Sequence, residues 1–286
     1  MASPNSSAPV PVGAELNLTP VTEEAKKPAP MVSKFGLVAQ YSPSADGVDE
    51  NILILFHGFG DTHFQFANLG RALKLPQTAT LAVRGTEPIP YLLPEDPPAF
   101  QYFPIYTLLG EPITAPNPTA ILGSLISMLK HLVDDCKWPE SRIHLFGFGQ
   151  GGSVAIELAR LWAREQTDTE TVSPNEQDVP ALARTGVLGS IVTVSGPLLS
   201  HPTPHTKSCP TPLLIVHRPP SSESALTAAD IRALKKAFNG RRVVEEIAGS
   251  GKEGMPTSRD EWMGVMRFWA DVLERRVAGE GIYRVG

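Results

Sequence analysis

The run Gly147-Phe148-Gly149-Gln150-Gly151-Gly152 has the spacing of a G-x-S-x-G nucleophile elbow, with glycine where the nucleophile belongs. In such a turn a strand ends and a helix begins almost at once. The residue between them is driven to positive φ, which lifts its side chain over the sheet edge. Serine tolerates that strain, about 1–3 kcal/mol, where it is needed to attack an acyl carbon. Glycine adopts the same backbone without penalty. Gly149 therefore keeps the turn and removes the attacking group. Gly147 and Gly151 have a steric task, letting the helix start close against the strand. A phosphate-binding loop is the competing reading of glycines before a helix. The run lacks the Lys-Ser/Thr pair of a P-loop, and no acidic residue is placed to read a ribose.

A second glycine-bearing run, His57-Gly58-Phe59-Gly60-Asp61-Thr62, follows the apolar stretch Asn51–Phe56. His57 is read as a hydrogen-bonding group that orders the loop, with a general base as the alternative, and Asp61 as a residue that orients it. His217, at the end of another apolar stretch, is the remaining titratable group expected near the elbow. As a base it needs a hydroxyl within hydrogen-bond reach, and Ser153, Ser195, Ser221 and Ser222 are the serines on offer. Ser153 falls one turn into the helix after the elbow, where packing explains it. Ser195, in Val-Ser-Gly, reads as structural. His201 and His205 with Cys209 have the donor types of a metal site, yet an exposed proline-rich loop accounts for them, and no metal or cofactor is expected.

Strand-length apolar runs must position these groups. They occupy Asn51–Phe56, Thr80–Val83, Arg142–Phe148, Ser190–Val194, Leu213–His217 and Arg242–Ile247, with a weaker one at Phe35–Tyr41. Each is continuous rather than alternating, as strands covered on both faces are. Helical periods lie between them. Asn117-Pro118 opens one that carries Ile121, Leu122, Leu125, Ile126, Leu129, Leu132 and Val133 on one face. A second spans about Gly151 to Glu165. A third is capped by Thr227 and ends at Gly240 as a C′ residue. The last starts at Ser258, in a capping-box pattern with Glu261, and buries Trp262, Val265, Met266, Trp269 and Leu273.

Strands alternating with helices predict an α/β fold: a mostly parallel central sheet with helices on both faces. Residues 1-32, rich in Pro, Ser and Ala, predict a disordered tail, and residues 33-286 a single domain. Within it, Gln166–Arg184 reads as a polar surface insertion.

The 286 residues are 42% hydrophobic and 19% charged with a net charge of -5, so a large core is available and nucleic acid is excluded as the main partner. No apolar stretch is long enough to span a bilayer, and no secretory signal pattern opens the chain. A cytoplasmic protein is expected, with Cys136 and Cys209 as buried reduced thiols.

Three segments resemble the carboxylesterase/phospholipase family that includes the acyl-protein thioesterases. Leu53–Thr62 (LILFHGFGDT) resembles its strand and oxyanion loop. Ser141–Ser153 (SRIHLFGFGQGGS) resembles its strand, elbow and helix, in which G-F-S-Q-G-G is usual. Pro212–Ser221 (PLLIVHRPPS) resembles the strand followed by His-Gly-x-x-Asp, whose aspartate is the triad acid. The resemblance implies an α/β-hydrolase fold. It also implies a triad, and the departures fall there. Gly149 stands at the serine, Ser221 at the aspartate, and Met255, within Gly249–Thr257, at the histidine. No histidine occurs after His217.

Triad members act as a unit, so once one is lost the others are free to drift. No catalytic residue is therefore expected. A pocket lined by His57, Gly58, Phe59, Gly60, Asp61, Gln150 and His217 is expected to persist without attacking chemistry. The implied role is binding or scaffolding, with a protein partner or an acyl-like small molecule. The alternative is an active carboxylesterase or thioesterase with a rearranged nucleophile. Glu87–Tyr106, dense in proline and aromatics, corresponds to the region that helps cover the family's acyl site, and reads equally as a stiff loop packed on its own sheet.

Overall fold

The computed structural model describes residues 18–20, 27–90, 92–93, 95–169, 184–200, 207–247, 253–276 and 283–285. Two compact units partition the chain, Lys26–Arg275 and a small one drawn from Met1–Ala25 with Arg276–Gly286. The small unit holds β1 (Leu18–Pro20), paired antiparallel with β11 (Tyr283–Val285). A strand therefore lies inside the expected tail, whose residues 1–17 and 21–26 fall outside the described ones. The end of that tail belongs to the large unit: the Met31 N–H donates to His131 Nε2 at 3.0 Å, and Lys27 Nζ to the Lys137 carbonyl at 2.8 Å.

In the large unit β2 (Ala39–Ser42), β3 (Asn51–Phe56) and α1 (His63–Leu73) lead into β4 (Thr78–Val83). The two-residue strands β5 (Glu87–Pro88) and β6 (Phe100–Gln101) pair with each other, and α2 (Thr119–Asp134) follows. Then come β7 (Ile143–Phe148), α3 (Gln150–Thr169), β8 (Ser190–Val194) and β9 (Leu213–His217), with α4 (Ala228–Ala237), β10 (Arg242–Glu246) and α5 (Arg259–Val272) last. Seven strands form one sheet in the order β10-β9-β8-β7-β3-β4-β2, parallel except for the antiparallel edge strand β2. This is the expected α/β architecture.

The continuous apolar runs are explained by burial on both faces. All six residues of β3 are buried, Ile52, Ile54 and Phe56 in one core with α2, α3 and α4, and Leu53 and Leu55 in the other with α1 and α5. The strands at Asn51, Ser190 and Leu213 begin and end as expected, while β4 starts at Thr78 rather than Thr80.

Other elements differ from expectation for local reasons. No helix was expected at α1, whose inner face is only Phe66, Ala67, Gly70 and His63. Gly70 sits there because a Cβ would press on Leu55 and Thr80 at 3.1 Å. Helix α3 runs on to Thr169, so Gln166–Thr169 is helix and not insertion; residues 170–183 lie outside the described ones. Gly240 is not a left-handed C′ residue. Helix α4 ends at Phe238 in extended backbone, and Gly240 is required because a Cβ would meet the Pro210 carbonyl. Thr227 and Asp230 form a full capping box, whereas Ser258 caps α5 with Glu261 N–H alone, because the Glu261 carboxylate is drawn elsewhere.

Candidate functional site

The elbow is present as the glycine pattern predicts. β7 ends at Phe148, α3 starts at Gln150, and Gly149 between them has φ +52°. Cβ atoms at the flanking positions would collide with backbone: at Gly147 with Gly151, and at Gly151 with the carbonyls of Phe56 and His57. At Gly149 a Cβ would meet nothing within 4 Å. The turn is thus closed on its flanks and open at its apex. The Gly149 N–H donates to the Val194 carbonyl at 2.9 Å, which ties the apex to the end of β8.

The loop after β3 lies against this turn, since a Cβ on Gly58 would strike the Phe148 ring at 2.7 Å. His57 is fully buried and orders the loop. Its Nε2 accepts from the Gly85 N–H at 2.9 Å, which leaves Nδ1 to donate to the Gly58 carbonyl at 2.7 Å. Desolvation is the main cause of its lowered pKa, and both ring nitrogens are engaged, so it is not poised as a base. The Asp61 carboxylate accepts the Thr62 N–H at 2.7 Å, an orienting contact. Gly60, at φ +80°, donates to the Phe100 carbonyl at 3.0 Å.

Gln150 binds the elbow to the next loop, accepting the Tyr102 N–H and donating to the Phe103 carbonyl, both at 3.0 Å. Glu87–Tyr106 is accordingly split: Tyr102 and Phe103 are buried beneath the elbow, while Leu92 and Leu93 are exposed. Phe59 is exposed and meets the Tyr106 ring edge-on at 6.0 Å. The two backbone donors that an elbow contributes to an oxyanion hole are the N–H after the apex and one in the β3 loop. At Gln150 and Phe59 neither takes a backbone partner among the described residues.

Beside His217 the sequence reading missed the residue that dominates. Arg218 is wholly buried, and its guanidinium pairs with Glu261 at 2.9 Å. It also donates to the carbonyls of Gly254 at 3.1 Å and Met255 at 2.7 Å. No local signal in His217-Arg218-Pro219-Pro220 marked it. His217 Nδ1 donates to the Arg218 carbonyl at 2.8 Å, Ser221 is exposed, and Met255 packs into the α1–α5 core. Glu253 fastens the same two loops from outside. Its carboxylate accepts from the Ser222 and Ser224 hydroxyls and from the Glu223 and Ser224 N–H groups, bonds that hold its pKa down at about 2. The positions of Ser221 and Met255 thus fall in loops joined by Arg218 and Glu253.

Ser153 is packed, its hydroxyl donating to the Pro197 carbonyl at 2.7 Å. Ser195 follows β8 at φ +55°, and its buried Oγ has no hydrogen-bond partner among the described residues. His201 and His205 lie outside the described residues; Cys209 and Cys136 are free and buried, which pushes both thiols up. One serine–histidine contact went unforeseen: His144 Nδ1 lies 2.8 Å from Ser190 Oγ, with Asn51 Oδ1 at 3.4 Å from Nε2. All three side chains are fully buried. They lie at the starts of β7, β8 and β3, whereas ligands of parallel sheets bind at carboxyl ends. The Asn51 amide continues the row by donating to the Glu274 carbonyl at 2.8 Å, so the row anchors the end of α5 to the sheet.

A family model described as phospholipase/carboxylesterase matches residues 43–166, which contain both glycine-bearing loops. An uncharacterized hydrolase of Mycosarcoma maydis is 32% identical over 84% of this chain and 83% of its own length. Among solved structures, the Bacillus cereus carboxylesterase superposes with a TM-score of 0.58 at 13% identity, covering 84% of this chain and 97% of that one. The Zea mays acyl-protein thioesterase 2 gives 0.54 at 16% identity, covering 83% and 99%. At such identities the structural likeness speaks for the fold alone. With the extent of the Mycosarcoma maydis match, the chain belongs to the phospholipase/carboxylesterase family and has the α/β-hydrolase fold.

Proposed function

We propose that this chain is a non-hydrolysing member of its family that acts by binding, its ligand a protein partner or an acyl-like small molecule. The observation that carries the reading is Gly149 at the apex of an otherwise intact elbow, at φ +52° and with open space above it. Nothing at the apex can attack, while the open donors of Phe59 and Gln150 can still receive a carbonyl or carboxylate oxygen. Arg218 supports the same reading, since it fills the space between the loops that correspond to the triad acid and base. A fluorophosphonate serine-hydrolase probe is expected to leave the full chain unlabelled; covalent labelling above a heat-denatured control overturns the proposal.

A second reading keeps an active hydrolase, and Ser195 is what favours it. This serine has the positive φ of a nucleophile at the carboxyl end of β8, and its N–H donates to Val216, the residue before His217. Ester turnover abolished by Ser195→Ala in a folded protein would establish it. Unchanged turnover excludes Ser195.

A further inference from the structure

The carboxyl edge of the sheet carries a basic corner next to the elbow's neighbouring strand. In the order β7-β3-β4, the chain leaves β3 through the His57–Thr62 loop into α1, and leaves β4 directly into Arg84. Helix α1 has eleven residues, its N-cap Thr62 makes no side-chain capping bond, and its first turn holds no acidic residue. The amino end of such a helix carries about half a positive charge and free N–H groups.

His63, the first residue of α1, is 4% exposed, and its Nδ1 is buried without a hydrogen-bond partner. The Arg84 Nε is likewise buried and unpartnered, and among the described residues no carboxylate forms an ion pair with Arg84. Its guanidinium lies over the Phe100 ring at 4.1 Å. Phe100 is fastened to the loop before α1, accepting the Gly60 N–H and donating to the Asp61 carbonyl at 3.1 Å. The stacking therefore sets the guanidinium beside the approach to His63. Its charge acts there, since Arg84 adds to burial in lowering the His63 pKa. Asp61 is the carboxylate of this corner, and it already accepts the Thr62 N–H.

A buried donor left unmade costs about 1–3 kcal/mol, more where it is charged. Arg84 Nε is such a donor, His63 Nδ1 is one in the tautomer or charge state that carries its proton there, and His63 opens the first turn of α1. A small oxyanion satisfies all three, and arginine is the side chain best shaped to grip one. We propose that His63, Arg84 and the amino terminus of α1 form a binding site for a small oxyanion, the phosphate or carboxylate group of a ligand. The site does not depend on the loss of hydrolysis and stands whether or not the chain cleaves esters.

The test titrates the full chain with inorganic phosphate, and in a parallel arm with acetate, at ionic strength held constant with chloride. Calorimetry follows binding, and side-chain NMR follows the His63 imidazole among its neighbours His57, Asp61 and Arg84. Saturable binding is expected in at least one arm, phosphate alone marking a tetrahedral group and acetate a carboxylate. The bound anion should raise the His63 pKa. Arg84→Gln should weaken binding roughly tenfold or more and abolish the His63 shift. Arg84→Lys, which keeps the charge and loses the fork, should bind between the two and decides the matter if the glutamine variant misfolds. No saturable binding in either arm overturns the proposal, as does an affinity unchanged in Arg84→Gln or, failing that, in Arg84→Lys.

Discussion

Gly149→Ser restores the atom whose absence the proposed function rests on, and the structure sets both its costs. The apex is at φ +52° with no neighbour within 4 Å of a Cβ, so the penalty is conformational and not steric. A non-glycine residue in left-handed backbone costs about 1–2 kcal/mol. At roughly 2–4 °C per kcal/mol for a domain of this size, the melting temperature should fall by roughly 2–8 °C with the fold intact. Catalysis should not return. His57 has both ring nitrogens engaged, no histidine follows His217, and Arg218 ties together the loops where the acid and base would be sought. Because triad members act as a unit, a serine alone adds nothing beyond what an oxyanion hole and binding already supply. Hydrolysis of p-nitrophenyl butyrate between about pH 6 and 9 should match the parent within a factor of about 3, with no acyl adduct by mass spectrometry. A rise of about a hundredfold would reveal a working base within reach of residue 149 and refute the reasoning.

Three further expectations concern the scaffold. Arg218→Ala or Glu261→Ala leaves a buried charge without its main partner and should cost about 3–5 kcal/mol by urea unfolding, whereas a loss below about 1 kcal/mol contradicts the clamp. His144 is fully buried, and desolvation lowers its pKa from the ordinary 6.5 to about 3. Its folded pKa is the depressed one, so above pH 6.5 both states are neutral and stability is complete; below it only the unfolded chain takes up the proton. Stability should therefore fall by about 1.4 kcal/mol per pH unit from pH 6.5 toward pH 3, and a His144→Gln variant with the same slope would dismiss this cause. Gly151→Ala should abolish soluble expression, because its Cβ meets the Phe56 and His57 carbonyls, while Gly149→Ala should melt within a few degrees of the parent. Equal melting temperatures for the two would dispose of that distinction.

What could be read from sequence was whatever depends on backbone and on continuous burial. Within Asn51–Phe56, Ile52–Phe56 are apolar throughout because both faces are covered, so type and limits were legible together. Gly147 and Gly151 were legible because only a missing Cβ lets carbonyls and helix approach so closely. Helix α1 was not, since its buried face consists of two apolar side chains, a glycine and a histidine, without an apolar period. Long-range partners were also illegible. Arg218 meets Glu261 across 43 positions, and nothing local in His-Arg-Pro-Pro marks that arginine as buried. His144 and Ser190 meet only because β7 and β8 pair in register, His144 opposite Ser190.

The surviving elbow is weak testimony for hydrolysis, because the bonds that keep it do not need a nucleophile. The Gly149 N–H reaches Val194, the Gln150 side chain holds Tyr102 and Phe103, and the Ser153 hydroxyl reaches Pro197. These contacts tie β7, β8 and the loop after β6 together at one corner, and none uses the side chain at position 149. A chain that gave up acyl chemistry would therefore still be held to this turn by stability. Arg218 works in the opposite sense. A buried guanidinium is tolerated only with its charge and donors met, here by Glu261 and the carbonyls of residues 254 and 255. Returning a compact His-Gly-x-x-Asp loop would strand Glu261 and release that segment together. On the proposed reading, a single reversion at Gly149 meets a loop pair already committed to another network, and regaining a triad would require rebuilding that network first.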